Sequence, residues 1–426
     1  MYSLLKSSPS PWPRSRRRVI LAFLAVLAVL IGATGVRYVV WGARFSYQTY
    51  PFVSVADDAC NDGTHNARAG NPPIPNLVHY VWLLKDAAEF RLSFKIFISF
   101  YSAHIFWRPE RIYIHTDAAP EVIQRARQSG TPWTRRILAI PGVEFKHVEV
   151  PQRTRKGVEI KAMEHKADFL RLAALREYGG VYLDTDAIPL RDIADLRNSG
   201  FRNIVGPQLA PAMWLAHILN NGVMMAVPHS NLMTLFYHAA HEFFDGGWET
   251  ASLGLLTDLG NRLAALPGEV LILQPQAFSP ISWHDNDQRR LYQETLDPTT
   301  APSVASLQRE QDLLQVAAPV NSNTSSSLSS PSSSWSTSGT CPDVLAWLRY
   351  REAVLRSSGQ GRDRGEFDLS SSYVLHAFDG VLEQVLGRGR DIDVRYVLER
   401  RSNYARAVFP AVWRAVQEGV FPREEV

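Results

Sequence analysis

The sequence has 426 residues, of which 46% are hydrophobic and 20% charged, enough apolar material for a large core and more than one domain. Its 45 basic and 42 acidic side chains leave a formal net charge of +3, too balanced for the basic stripe that nucleic acid demands. Nucleic acid is therefore excluded as an expected partner.

Arg14, Arg16, Arg17 and Arg18 stand directly before an apolar run, Val19 to Val36, that carries no charge. A helix of roughly 20 apolar residues crosses the hydrocarbon core of a bilayer, and Tyr38-Val39-Val40-Trp41 extend the run past Arg37. The arginines hold the N-terminal flank in the cytosol. The pattern predicts a cytosolic tail at 1–18, a transmembrane signal anchor at 19–41 and a lumen-facing remainder, a single-pass type II arrangement in the Golgi or ER membrane. The alternative is a cleaved signal peptide with Ala33-Thr34-Gly35 near the cleavage point. Cys60 and Cys341 both fall after the anchor, where an oxidising lumen allows one disulfide between them or leaves two buried thiols.

Residues 42–73 have little apolar periodicity and end in Asn71-Pro72-Pro73, which reads as a stem. A first catalytic segment is expected over 74–296. Ile74 to Trp82 predicts a buried strand, 86–106 a helix, and Arg111 to Asp117 a second strand ending at a polar site. A helix over 120–129, a strand near 143–150 and a helix over 160–178 follow. Gly179-Gly180 ends that helix, because glycine takes the left-handed conformation without steric cost. Val181 to Asp184 is a short strand, 201–228 holds two more, and 230–265 is largely helical. Alternating strands and helices predict a Rossmann-like α/β sheet. Residues 297–340 predict a disordered insertion, because 321–340 are mostly serine and threonine, and contain the sequon Asn323-Thr324-Ser325. The chain resumes over 341–426 with a strand at Ser372 to His376 and one amphipathic helix near 392–417.

The chemistry concentrates at Asp184-Thr185-Asp186. In a strand, Asp184 and Asp186 point to one side, and the apolar residues before them place the pair at the carboxyl end of a buried strand, where open α/β sheets bind ligands. Two carboxylates without neighbouring Cys or His favour a hard cation such as Mn²⁺ or Mg²⁺, which leaves coordination sites for phosphate. Asp168 and Arg171 share a face of the preceding helix, either as a surface ion pair or as a hydroxyl- and phosphate-binding couple.

Ala167-Asp168-Phe169-Leu170-Arg171 followed by Tyr178-Gly179-Gly180-Val181-Tyr182-Leu183-Asp184-Thr185-Asp186 resembles the signature of the DXD-containing sugar-transferase family, glycosyltransferase family 32. Ile74 to Trp82 is similar to that family's opening strand, and Asn220-Asn221-Gly222-Val223-Met224 to a later segment near the acceptor. The resemblance implies a glycosyltransferase-A fold, a Rossmann-like mixed sheet flanked by helices. It also implies a retaining, metal-dependent hexosyltransferase moving a sugar from a nucleotide-sugar to a glycan or glycolipid. GDP-mannose is the favoured donor, with a UDP-hexose (galactose or N-acetylglucosamine) as the alternative.

Carried over by position, Asp186 is the metal ligand, Asp184 contacts ribose and metal, and Asp168 and Arg171 meet the donor sugar. His79, Trp82 and Tyr182 belong to the nucleotide-sugar pocket, and His376 is the third metal ligand. Two departures stand out: no Ser-Trp follows His376, and no proline follows Gly254. The competing readings are an aspartyl phosphohydrolase using Asp184 and a catalytically silent lumenal binding protein.

Overall fold

The computed structural model describes residues 71–209, 218–296, 367–379 and 392–421. The expected anchor at 19–41, almost all of the stem, Cys60, Cys341 and the serine-rich insertion with its sequon lie outside the described residues. Among the described residues, no helix is long and apolar enough to cross a membrane.

Seven strands form the central sheet: β1 (Leu77–Val81), β2 (Arg111–Thr116), β3 (Val143–His147), β4 (Gly180–Leu183), β6 (Asn203–Pro207), β7 (Leu219–Ala226) and β8 (Val270–Ile272). Their order is β3-β2-β1-β4-β7-β6-β8. β7 pairs antiparallel with both its neighbours, whereas the other pairings are parallel. The sheet is thus mixed and Rossmann-like, flanked by helices as the sequence predicted. A second, two-stranded sheet joins β5 (Ala187–Pro189) to β9 (Val374–His376) in antiparallel register, with Ala187 opposite His376.

The alternation of strand side chains divides the core in two. Val181 and Leu183 of β4, with Val223 and Met225 of β7, join the apolar cluster on one face. Tyr182, Met224 and Ala226 join the cluster on the other. That second cluster is covered by α1 (Met163–Tyr178), which also packs on α2 (Asn231–Phe243). Sandwiched between sheet and helix, α1 buries Phe169, Leu170, Arg171, Leu172, Ala174 and Leu175, so it lacks a fully polar side.

The chain leaves α1 through Gly179 at φ +64° and Gly180 at φ +95°. A side chain on Gly180 would place its Cβ 2.5 Å from the Leu77 carbonyl oxygen, so the tight passage from helix into β4 requires glycine. Asp184 therefore emerges at the carboxyl end of β4, beside the end of β1.

Three local expectations change. Asp184 to Asp186 are not a continued strand: the Ala187 N–H donates to the Asp184 carbonyl at 2.9 Å, closing a turn. Near the C-terminus, one helix becomes two, α3 (Val394–Glu399) and α4 (Asn403–Gln417). Arg400 adopts φ +54° between them, and the Ser402 hydroxyl caps the second by accepting from the Ala405 N–H. Finally, the region 86–106 becomes helical only at Phe94, where the Ser93 hydroxyl accepts from the Ile96 N–H.

Candidate metal and sugar-nucleotide site

The turn after β4 and the end of β9 meet at one point. Asp184, Asp186 and His376 each offer one ligand atom, and these atoms all lie within 4.8 Å of one another. His376 Nε2 stands 3.4 Å from Asp186 Oδ1 and 3.8 Å from Asp184 Oδ2. These separations are long for direct hydrogen bonds and suit three donors facing one cation. Register explains the convergence: β9 sets His376 opposite Ala187, and the Ala377 N–H donates to the Asp186 carbonyl at 2.9 Å. Two carboxylates and an imidazole, without thiolate, fit Mn²⁺ or Mg²⁺ by donor chemistry, and the imidazole tilts the choice toward Mn²⁺.

Charge on these groups is mutually maintained. Burial would raise the Asp186 carboxyl, but His376 and the Asp379 N–H outweigh it and hold Asp186 well below the usual carboxylate range. Burial disfavours the His376 imidazolium, yet Asp186 and then Asp184 push its pKa up overall.

Arg171 of α1 organises the other half of the site. Its guanidinium is buried, with Nη2 3.2 Å from Asp168 Oδ1 and 3.2 Å from Asp184 Oδ1. Nη1 donates to the Asn221 carbonyl at 2.9 Å, and the group lies 4.6 Å above the Tyr182 ring. Burial lowers the Arg171 pKa, but Asp184, Tyr182 and Asp168 together drive it further up. Asp168 is raised, by burial first, against the opposing pull of Arg171. The Tyr182 hydroxyl donates to Asp184 Oδ1 at 2.7 Å, and Asn221 Nδ2 donates to Asp168 Oδ1 at 2.8 Å. Asp168, Arg171, Tyr182, Asp184, Asp186 and His376 thus form one connected group.

His79 and Trp82 lie outside that connected group. His79 is fully buried in the middle of β1, with Nε2 2.8 Å from the Gly179 carbonyl and Nδ1 2.9 Å from His115 Nε2. A carbonyl only accepts, so His79 Nε2 carries the proton and Nδ1 accepts from His115. Its role is to tie β1 to β2 and to the Gly179 turn. Trp82 is half-buried just past the end of β1, and its N–H donates to the His115 carbonyl at 2.9 Å. That puts it on the same sheet rim as Asp184.

Further contributors come from the segment Asn220 to Met224, whose sequence is similar to the family's region near the acceptor. Asn221 and Gly222 sit where the register between β6 and β7 shifts, Val205 facing Met224 but Gly206 facing Asn220. Such irregularities re-aim the chain beside sites. The Gly222 carbonyl accepts from the Asp184 N–H at 2.8 Å. A Cβ there would lie 2.5 Å from His376 Cε1 and 2.6 Å from Asp184 Oδ2, so only glycine allows this approach. Lys95 and Asp379 join the site only through tertiary contact, with the Asp379 N–H donating to Asp186 Oδ2 at 2.9 Å and Lys95 pairing with the Asp379 carboxylate.

Residues 38–203 match the family model described as the glycosyltransferase sugar-binding region containing a DXD motif. The stretch includes Asp168, Arg171, Tyr182, Asp184 and Asp186. This part of the chain is similar to the DXD-containing sugar-transferase family. Among curated proteins, the chain is 28% identical to glucan organizing enzyme 1 of Cryptococcus neoformans var. grubii serotype A, over 52% of this chain and 58% of that one. It is 26% identical to lactosylceramide 4-alpha-galactosyltransferase of Homo sapiens, over 33% of this chain and 38% of that one. The chain therefore spans between about two fifths and three fifths of the length of these relatives. Among solved structures, the PaToxG glycosyltransferase matches at 16% identity and a TM-score of 0.32, over 50% of this chain and 78% of that one. His376 lies beyond the part of the chain that the family model matches.

Proposed function

We propose that the protein is a metal-dependent, retaining glycosyltransferase that moves a hexose from a nucleotide-sugar to a hydroxyl of a glycan or glycolipid. The reading rests on one observation: Asp184, Asp186 and His376 converge within 4.8 Å beside the buried Asp168–Arg171–Asn221 group. In the reaction, the bond between the anomeric carbon and the diphosphate oxygen breaks, and its electron pair leaves with the diphosphate. The acceptor oxygen bonds the same carbon and loses its proton to the departing phosphate or to water. A divalent cation held by Asp184, Asp186 and His376 would neutralise charge developing on the diphosphate.

The chain's own groups supply orientation. Asp184, fixed by Tyr182 and Arg171, is the assigned ribose and metal contact. Asp168 and Arg171 are assigned to the transferring sugar, with donors and acceptors preset by burial rather than gathered on binding. The mixed sheet with its reversed β7 supports a glycosyltransferase-A reading of the fold. Mannose remains the favoured sugar by the motif resemblance. A curated relative named as a 4-alpha-galactosyltransferase keeps UDP-galactose as the direct competitor. The proposed address is the Golgi or ER membrane, with the chain anchored through 19–41 and the catalytic part lumenal.

A phosphohydrolase using Asp184 as nucleophile is disfavoured, because Asp184 Oδ1 is already engaged by both Tyr182 and Arg171. The decisive experiment screens GDP-mannose, UDP-galactose and UDP-N-acetylglucosamine for hydrolysis and transfer, with Mn²⁺ and with chelator. Turnover of one donor that disappears with chelator and with Asp186→Asn is expected. Undiminished turnover in Asp186→Asn would overturn the assigned role, and no turnover of any donor would favour a silent binding protein.

A further inference from the structure

Beside the site, α1 and the segment that follows α2 enclose a concavity lined by His165, Asp168, Phe169, Phe244, Trp248 and Ser252, among others. Trp248 is 61% exposed, although most aromatic side chains of the described chain are buried. The segment that carries it is anchored. The Ser252 hydroxyl donates to the Trp248 carbonyl at 2.8 Å, and the Gly247 N–H donates to Asp245 Oδ1 at 2.8 Å. The His165 ring packs 5.3 Å from the indole and 5.2 Å from the Phe244 ring. The indole is therefore held in the open by its surroundings, and exposing that much apolar surface costs free energy that a ligand's burial would return.

The polar groups around it are asymmetrically used. Asp168 Oδ1 takes both Arg171 and Asn221, whereas Oδ2 has no protein donor among the described residues. His165 is 8% exposed, and its Nε2 is buried without a partner. An apolar floor with an aromatic platform, one free carboxylate oxygen and one unmatched imidazole nitrogen has the chemistry of a carbohydrate site. C–H bonds on one face of a pyranose pack on an aromatic ring, while its hydroxyls bond to acceptors and donors at the edge.

We propose that the exposed face of Trp248 at the mouth of this concavity is a saccharide subsite for the acceptor, with the indole stacking on one pyranose ring and Asp168 Oδ2 accepting a hydroxyl. The inference rests on the transferase reading and deepens it. Arg171 links Asp168 to Asp184 through contacts of 3.2 Å on each side, so a ring held by Asp168 lies next to the transferring sugar. Asp168 Oδ2 then meets the acceptor, while Arg171, held by Asp168 Oδ1, meets the transferring sugar. Trp248 carries the selection for ring shape: a ring with an unbroken apolar C–H face stacks better than one with an axial hydroxyl on that face.

The test uses the full-length chain and four probes, the methyl glycosides of galactose, glucose, mannose and N-acetylglucosamine. Saturation-transfer NMR should show at least one of them receiving saturation chiefly on the protons of one ring face. Trp248→Ala should weaken that glycoside by about tenfold and Trp248→Phe by less, while Mn²⁺-dependent dissociation constants for UDP or GDP shift by less than about twofold. Thermal unfolding of both variants separates these effects from misfolding. Equal glycoside binding by Trp248→Ala, or no glycoside binding to the wild type, overturns the subsite. A matching loss of nucleotide affinity would assign the concavity to the donor instead and also overturn it. Failure of the transferase reading is a separate result, because it appears as absent turnover of every nucleotide-sugar whatever the glycoside spectra show.

Discussion

The backbone N–H of Asp379 donates to Asp186 Oδ2 at 2.9 Å, leaving Oδ1 to face His376. A main-chain donor thus sets the rotation of the carboxylate assigned to the metal. The Asp379 side chain is gripped in turn: Lys95 pairs with it, and the Tyr292 hydroxyl donates to its Oδ1 at 2.9 Å. Lys95 also donates to the Tyr292 hydroxyl at 2.9 Å and lies 4.7 Å above that ring. Replacing Lys95 with Met should release Asp379 and let Asp186 rotate. Mn²⁺ affinity, read by electron paramagnetic resonance, is expected to fall about tenfold, with a stability loss of about 2 kcal/mol because Asp379 is only partly buried. Lys95→Arg should restore part of both, and unchanged Mn²⁺ affinity in Lys95→Met would refute the coupling.

Gly222 is a steric requirement of the site. Gly222→Ala pushes a methyl group against His376 and Asp184, at 2.5 and 2.6 Å in the unrelaxed structure. Turnover is expected to fall by about two orders of magnitude through displaced ligands, with the fold retained. A thermal melt within a few degrees of wild type alongside lost Mn²⁺ binding is the predicted signature; retained Mn²⁺ affinity would contradict it.

Arg171 should not tolerate a conservative exchange. Lysine keeps the charge but cannot span Asp168, Asp184 and the Asn221 carbonyl from one planar group, nor lie flat above Tyr182. Arg171→Lys is expected to lower kcat/KM by about 100-fold or more. Donor titration should show whether KM, kcat or both carry the loss, and near-normal kcat/KM would remove Arg171 from the site.

The buried pair His79 and His115 gives the fold a pH dependence away from the active cluster. Burial lowers His79 to about 3, reinforced by His115, and lowers His115 to about 4, reinforced by Lys146. Both folded values lie below the unfolded value near 6.5, so the unfolded chain binds more protons across that interval. Stability is therefore full above about pH 6.5 and falls as pH drops toward the folded values, by about 2 kcal/mol per histidine at pH 5. Denaturant midpoints at pH 7 and pH 5 measure this slope. A His115→Gln variant should flatten it; an equal slope in the variant would place the acid sensitivity elsewhere.

Much of the architecture was legible because it rests on local signals. Gly179-Gly180 marked the end of α1, and the apolar residues of β4 marked a buried strand leading to Asp184. Asp168, Arg171 and the two aspartates lie within 19 residues of one another, and their shared environment followed from helix and strand periodicity. The turn that follows Asp184 was not legible, because it is closed by main-chain atoms, the Ala187 N–H and the Asp184 carbonyl, and leaves no mark in composition. His79 was expected to line the pocket because its segment resembles the family's opening strand, but strand alternation turns it toward His115 and Gly179. Lys95 and Asp379 act through contacts between distant segments, and no periodicity announces those; Gly222 was marked by its segment's resemblance, but its steric role needs the approach of His376. The break at Arg400 was hidden because both flanking helices keep the same apolar spacing.

The pairing of β5 with β9 joins positions nearly two hundred residues apart, as the 193-residue separation between Asp186 and Asp379 shows. Loops of that span close late in folding, after local helices and neighbouring strands have formed. A chain arrested before β9 would hold both aspartates but neither His376 nor the Asp379 N–H that orients Asp186. Under the proposed function, a chain cut before β9 would keep both aspartates but lose the third ligand and the main-chain donor, and should no longer hold the cation.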